Sequence, residues 1–141
     1  GAAVGVLVTG SIDPVIHVIR RRLPDVVAIY RYGSAGTEHE RPDSDVDLAV
    51  LPARPVPFDV SLALAGDLED MVRRPVDLVD LLKAPTILRA QIIAYGERLY
   101  CADERACSLF DDDVLSSYAR FNEERRELVA DILARGSVYG G

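Results

Sequence analysis

The chain has 141 residues, which is enough for one hydrophobic core and too few for two, so we expect residues 1–141 to form a single domain. Hydrophobic residues make up 49% of the chain and charged residues 28%, a composition that excludes an extensively disordered protein. The formal net charge of −7 opposes the broad positive surface that nucleic acids require, so a protein or small-molecule partner is favoured over nucleic acid.

The first hydrophobic stretch, residues 2–8, indicates neither a membrane anchor nor a signal peptide. It is too short to cross a bilayer and has no basic leader. The two cysteines, Cys101 and Cys107, have neither metal-ligand nor redox-motif spacing, and we expect both to be reduced thiols. Together these features predict a cytoplasmic protein.

Three elements are predicted in the first third of the chain. Apolar residues at three- and four-residue spacing predict a helix over residues 11–22, with Ser11 as its N-cap. Residues 26–32 are rich in β-branched and aromatic side chains and predict a buried strand that ends at Gly33. Residues 45–51 alternate between two faces, one apolar and one bearing carboxylates, and predict a second strand.

The remaining elements complete an alternating α/β order. They are a helix over residues 58–73, a strand over 76–82, a helix over 85–95, a short edge strand over 99–101 and a last helix over 112–134. Gly96 and Gly136 are interpreted as the ends of the last two helices, Gly96 in a left-handed conformation. The acidic run 111–113 is interpreted as the start of the last helix, where the dipole stabilises negative charge. Spacing favours the core for Tyr118 and Phe121.

Asp45 and Asp47 are the first candidates for chemistry. They are two residues apart on a strand, so both carboxylates project from one face, with Cα atoms about 6 to 7 Å apart. Two anions at this separation repel each other unless a cation lies between them. Mg²⁺ takes one or two carboxylates and completes its octahedron with phosphates and water. The pair therefore predicts a seat for Mg²⁺ bound to a nucleoside triphosphate.

A third carboxylate is expected from the next strand. Asp77 and Asp80 are three residues apart and must face opposite sides of a regular strand, so at most one of them joins the pair. We favour Asp77, as a ligand of a second metal ion and as general base for an incoming hydroxyl group. Asp80 is interpreted as a surface or helix-cap residue.

Gly33 and Ser34 are predicted to bind phosphate. They end one strand ten residues before Asp45, and a glycine there lets backbone N–H groups approach a phosphate while the serine hydroxyl adds a donor. A Gly-Ser pair alone is common in loops, so the prediction depends on its position next to the acidic strand.

The pattern resembles the signature of the DNA polymerase β-like nucleotidyltransferases: Gly33-Ser34, ten residues, Asp45-Val46-Asp47 and a later strand Asp. Three stretches, GSAGTEHERPDSDVDLAVL, RPVDLVDLLKAP and QIIAYGERLY, together with the Tyr-containing last helix, resemble the minimal nucleotidyltransferase antitoxins of HEPN/MNT toxin–antitoxin pairs. The resemblance extends from about residue 12 to the end of the chain.

This resemblance implies a small mixed β-sheet flanked by helices, with a long C-terminal helix. It also implies ATP with two Mg²⁺ ions, and AMP transfer onto a tyrosine of a cognate HEPN ribonuclease toxin. Gly33 and Ser34 would bind the triphosphate, and Asp45, Asp47 and Asp77 would be the catalytic and metal-binding triad. Relatives often carry an arginine soon after the Gly-Ser pair; this chain has Ala35 and Gly36 there, and Arg41 or Arg31 could substitute.

Two other functions remain open at this point. The same chemistry could act on a small molecule or an RNA end, although relatives of that kind usually add a substrate domain that 141 residues do not accommodate. The chain could also block its toxin by binding alone, without catalysis. The three retained carboxylates favour catalysis.

Overall fold

The computed structural model describes residues 12–33 and 45–139, which form four helices and four strands. In chain order these are α1 (Asp13–Arg22), β1 (Ala28–Tyr32), β2 (Val46–Leu51), α2 (Phe58–Val72), β3 (Val76–Asp80), α3 (Thr86–Tyr95), β4 (Glu97–Cys101) and α4 (Glu104–Tyr139). The alternating α/β order is as expected. None of these described helices is both long and apolar enough to span a membrane.

The four strands form one mixed sheet in the order β3-β2-β1-β4. The central strand β1 is antiparallel to both β2 and β4, whereas β2 and β3 are parallel. A parallel pair needs a crossover connection, and α2 provides it between β2 and β3. The sheet is mixed as expected, and β4 is an edge strand as predicted.

Helices cover both faces of the sheet. On one face α1 and α2 pack Val15, Ile19, Leu64 and Leu68 against the side chains of Val46, Leu48 and Val50. On the other face Ile92 of α3 and Cys107 of α4 pack against Ala28, Tyr30, Ala49 and Leu51. Strand β2 is therefore buried on both sides, and Asp47 is its only residue that is not fully buried.

The ends of the first two described helices differ in how they are fixed. Helix α1 begins at Asp13 with Ile12 in the N-cap position and a proline in its first turn; Ser11, the predicted cap, lies outside the described residues. Helix α2 ends at Val72 and is followed by Arg73 in the C-cap position, where its φ is 61° and its N–H donates to the Glu69 carbonyl at 2.8 Å. On this helix Leu64 and Leu68 are fully buried.

The last helix corrects the sequence interpretation. It begins at Glu104, eight residues earlier than predicted, because a carboxylate oxygen of Asp103 accepts the N–H of Arg105 at 3.1 Å and caps the first turn. The acidic run 111–113 therefore lies inside the helix and caps nothing. Asp111 instead accepts the hydroxyl of Tyr30 at 2.9 Å. Phe121 is 40% exposed, so its assignment to the core was wrong.

Two glycine predictions were also wrong. Gly96 follows α3 with φ −80°, not in a left-handed conformation. Its role is steric, because a Cβ there would overlap the Ile92 carbonyl oxygen and lie 3.0 Å from the Arg31 carbonyl oxygen. Helix α4 continues through position 136, so Gly136 does not end it.

The two cysteines are bonded to each other. A disulfide joins Cys101 at the end of β4 to Cys107 in the first turns of α4, which corrects the expectation of reduced thiols. The short connection between β4 and α4 brings the two side chains together, and their six-residue separation carried no recognisable motif. The bond ties the start of the long helix to the edge of the sheet.

Candidate active site

Asp47 and Asp77 lie side by side on neighbouring strands. The parallel pairing of β2 with β3 places Asp47 opposite Asp77, and register partners project from the same face of a sheet. Tyr32 at the end of β1 is the partner of Asp47 on the other side, and its hydroxyl lies 3.4 Å from a carboxylate oxygen of Asp77. Three neighbouring strands thus present two carboxylates and a phenol at one end of the sheet.

Gly33 follows Tyr32 at this end and is required there for two reasons. Its φ is +74°, in the left-handed region that residues with a Cβ rarely adopt. A Cβ on Gly33 would also overlap the Oδ2 atom of Asp47. The glycine backbone therefore comes directly against the carboxylate. Ser34 lies outside the described residues, and its phosphate contact stays a prediction.

The site concentrates negative charge. The pKa of Asp47 is raised by its burial first, and then by the charges of Asp77 and Asp45. Asp45, an exposed residue directly before β2, contributes the smaller of these two charge effects. The pKa of Tyr32 is also raised, by burial and then by Asp77 and Asp47, so its hydroxyl keeps its proton at neutral pH. Such a cluster favours a bound cation.

The carboxylate oxygens of the site are suited to fill part of the coordination sphere of Mg²⁺. All candidate ligands are hard carboxylate oxygens, which Mg²⁺ prefers. The pKa of Asp47 is raised first by burial and then by the neighbouring anions, and a cation bound between the carboxylates would offset the effect of those anions. In the described ranges no three His, Cys, Asp or Glu side chains form a complete cation site. The arrangement therefore suits an ion that takes its other ligands from phosphates and water.

Asp80 has a separate structural role at the opposite end of β3. Its Oδ2 accepts the N–H of Val56 at 2.8 Å and its Oδ1 accepts the N–H of Leu82 at 2.9 Å. These bonds hold the loop before α2 and the turn after β3. The structure thus separates Asp80 from the carboxylate pair.

The two arginines proposed as triphosphate contacts have different outcomes. Arg31 is the partner of Leu48, so it lies on the opposite face from Tyr32 and Asp47, and its guanidinium pairs with Glu97. It is not available to the site. Arg41 lies outside the described residues.

Tyr32 is the site residue that sequence reasoning missed. It was counted as part of a buried strand, although its position two residues after Tyr30 and directly before Gly33 places it on the face and at the end where Asp47 lies. The alternation of side chains along the strand, counted back from Gly33, could have identified Tyr32 as a site residue.

Comparisons with known proteins agree with this geometry. Residues 15–105 match the family model described as polymerase beta, nucleotidyltransferase. The protein adenylyltransferase MntA of Shewanella oneidensis strain MR-1 is 33% identical over 124 residues, which cover 86% of this chain and 87% of that protein.

Solved structures extend the likeness to the fold. A crystal structure of a toxin–antitoxin with AMP-PNP has a TM-score of 0.75 and 30% identity, and the match covers 84% of this chain and 95% of that one. A structure of the tri-AMPylated Shewanella oneidensis HEPN toxin in complex with MNT antitoxin matches with a TM-score of 0.71 and 29% identity, covering 86% and 94% of the two chains.

Proposed function

Because this chain belongs to the polymerase beta nucleotidyltransferase family, we propose that it is an antitoxin enzyme that transfers AMP from ATP to a cognate HEPN toxin and so neutralises it. The acceptor in this proposal is a tyrosine hydroxyl of the toxin. The observation that carries the proposal is the side-by-side placement of Asp47 and Asp77 next to the Gly33 backbone. The reaction and the toxin partner in this proposal are inferred from the relatives named protein adenylyltransferase MntA and MNT antitoxin.

The site residues have distinct roles in the proposed reaction. Asp45 and Asp47 would hold one Mg²⁺ together with the triphosphate of ATP, and Asp77 would help to hold a second. Bound there, the ions would polarise the α-phosphate and stabilise the charge that develops on pyrophosphate. Gly33 gives the phosphates access to backbone N–H groups, and Ser34 adds its hydroxyl.

Asp77 is the general base of the reaction. Its carboxylate takes the proton from the acceptor hydroxyl while the acceptor oxygen bonds to the α-phosphorus. The bond between the α-phosphorus and the oxygen that bridges to the β-phosphorus breaks, and pyrophosphate leaves. Tyr32 remains protonated and can donate to Asp77, which helps to orient the carboxylate before the transfer.

The proposal is tested by following AMP itself. ATP labelled at its α-phosphate is incubated with the chain, Mg²⁺ and the cognate toxin, alongside parallel reactions that contain aminoglycoside or RNA in place of the toxin. We expect the label on the toxin only. Label on the drug or the RNA alone would assign the chain to a different branch of nucleotidyl transfer. An unlabelled but inactive toxin would indicate inhibition by binding.

A further inference from the structure

A cleft of about 350 Å³ opens directly beside Gly33. Among the described residues, it is lined by Tyr32, Gly33, Leu88, Gln91, Tyr95 and Gly96. Its volume is at the lower end of the range of about 300 to 1,000 Å³ that small-molecule sites occupy. Strand β1 and helix α3 therefore form a second compartment that is continuous with the carboxylate site through Gly33.

The part of the cleft lining that the structure describes does not suit a phosphate group. None of the six residues carries a charge, and the side chains are aromatic, aliphatic or amide. Tyr95 is 89% exposed, which is unusual for a large aromatic ring and leaves the ring accessible to a ligand. A planar, mostly apolar group with hydrogen-bonding edges matches this surface, because aromatic rings stack on the faces of nucleobases.

Gln91 supplies the polar element of the cleft. Within the described part of the chain its amide makes no hydrogen bond, so both its donor and its acceptor are available. A glutamine amide can pair with the N6 and N7 positions of adenine through one donor and one acceptor. A guanine offers two acceptors at the corresponding positions and cannot make the same pair.

The position of the cleft favours the donor nucleotide over the acceptor hydroxyl. In the strand order β3-β2-β1-β4, Asp77 lies on β3 and the cleft lies beyond β1, so Asp47 stands between them. The acceptor hydroxyl must reach the general base on the β3 side. The nucleoside of ATP then lies on the β1 side, because Gly33 both contacts the phosphates and lines the cleft.

We infer that this cleft binds the adenine base of the donor nucleotide, with Tyr95 stacking on the ring and Gln91 selecting adenine over guanine. The inference rests on the proposed function, because it assigns the part of the same site that reads the nucleotide. It makes Tyr95 and Gln91 specificity residues, outside the acidic cluster that performs the transfer.

Binding measurements separate base recognition from phosphate recognition. The full chain is titrated by calorimetry with Mg²⁺ and either AMP-PNP or inorganic triphosphate. We expect Tyr95→Ala to weaken AMP-PNP binding about tenfold or more, from the loss of one stacking contact, while Tyr95→Phe keeps wild-type affinity. Neither variant should change the affinity for inorganic triphosphate. Phe58→Ala removes a ring that is 77% exposed at the opposite end of the sheet, and it serves as the matched control.

Gln91 is tested by comparing bases. We expect Gln91→Ala to reduce the preference for AMP-PNP over the guanine analogue by about tenfold, the discrimination typical of one paired contact. Unchanged AMP-PNP affinity in Tyr95→Ala together with unchanged base preference in Gln91→Ala would overturn the inference. Tyr95→Ala that raises the KM for the toxin and leaves nucleotide affinity intact would do so as well, by assigning the cleft to the acceptor. A wild-type chain that binds neither probe would overturn the proposed function itself.

Discussion

Asp47 on β2 and Asp77 on β3 are register partners in a parallel strand pair, with no residue between them. Nothing in ordinary folding favours this pairing, because like charges that face each other across a sheet are destabilising. The other residues of β2 are all buried and fix the position of the strand. Asp47 therefore stays next to Asp77, although their repulsion lowers the stability of the fold. The proposed Mg²⁺-dependent transfer would account for both carboxylates at this position.

Replacing Asp47 with Asn should stabilise the metal-free protein at neutral pH. Burial and the neighbouring charges raise the pKa of Asp47, so its proton stabilises the fold at low pH and this stabilisation is lost as the pH rises through the raised pKa. The variant does not incur that loss. We expect its Tm in EDTA to exceed that of the wild type by on the order of a few degrees near pH 7, and the gap to shrink towards pH 4.

Thermal unfolding across this pH range checks the prediction for Asp47. Asp112→Asn, an exposed position on α4, controls for the general loss of one negative charge. Added Mg²⁺ should raise the Tm of the wild type and leave that of Asp47→Asn almost unchanged. An Asp47→Asn variant that is less stable than the wild type at pH 7 would contradict the electrostatic account.

Asp77→Asn should lower the rate of AMP transfer by about 10² to 10⁴, the usual contribution of a general base. Its fold should be retained, because the side chain lies at the exposed end of β3. Asp80→Asn on the same strand is the matched control, since Asp80 holds two loop N–H groups at the far end. We expect Asp80→Asn to lower the Tm while the transfer rate below that Tm stays close to wild type. Single-turnover kinetics at saturating ATP distinguishes the two variants. A normal transfer rate in Asp77→Asn with a reduced rate in Asp80→Asn would contradict the assignment of Asp77 as general base.

Gly33→Ala should impair both folding and nucleotide binding. The left-handed backbone costs a residue with a Cβ about 1 to 2 kcal/mol, and the added methyl group would displace the Asp47 carboxylate. Gly66 in α2 is the matched control, because a Cβ there meets nothing within 4 Å. Gly66→Ala should stabilise the protein by about 0.5 to 1 kcal/mol. Denaturant titration and nucleotide binding measure both effects; equal behaviour of the two variants would show that the Gly33 backbone is not constrained.

Tyr30→Phe should cost about 1 to 2 kcal/mol of stability, because it removes the hydrogen bond to Asp111 in a mostly buried position. This bond attaches the third turn of α4 to β1. Tyr118→Phe is the control, since Tyr118 makes no hydrogen bond within the described residues. A double-mutant cycle of Tyr30→Phe with Asp111→Ala measures the coupling. If the two losses simply add, the bond contributes nothing to docking the helix.

The residues that sequence could identify are those whose neighbours along the chain define their environment. Alternation placed Asp45 and Asp47 on one strand face, and the three-residue separation of Asp77 and Asp80 allowed only one of them at the site. The register that sets Asp47 against Asp77 depends on the pairing of two strands that the chain connects through α2, and no local pattern encodes it.

The errors have the same cause. Asp111 was assigned to the start of the last helix because its partner Tyr30, 81 residues away in sequence, could not be identified from the local pattern. Asp103 caps the helix in the structure, but the residues that follow it have only a weak helical pattern, so the sequence did not indicate a helix start there. Cys101 and Cys107 meet only because β4 turns directly into α4. Tyr32 was not identified as a site residue because an aromatic residue at a strand end is usually part of the core.

The most direct test of the acidic cluster is the intact mass of the cognate toxin after incubation with the antitoxin, ATP and Mg²⁺. With the wild-type chain we expect the toxin to gain the mass of one or more AMP groups and to lose its ribonuclease activity. With the Asp45→Asn/Asp47→Asn double variant we expect an unmodified and active toxin. A toxin that is silenced equally by the double variant, with no change in its mass, would show that the cluster is not the means of neutralisation.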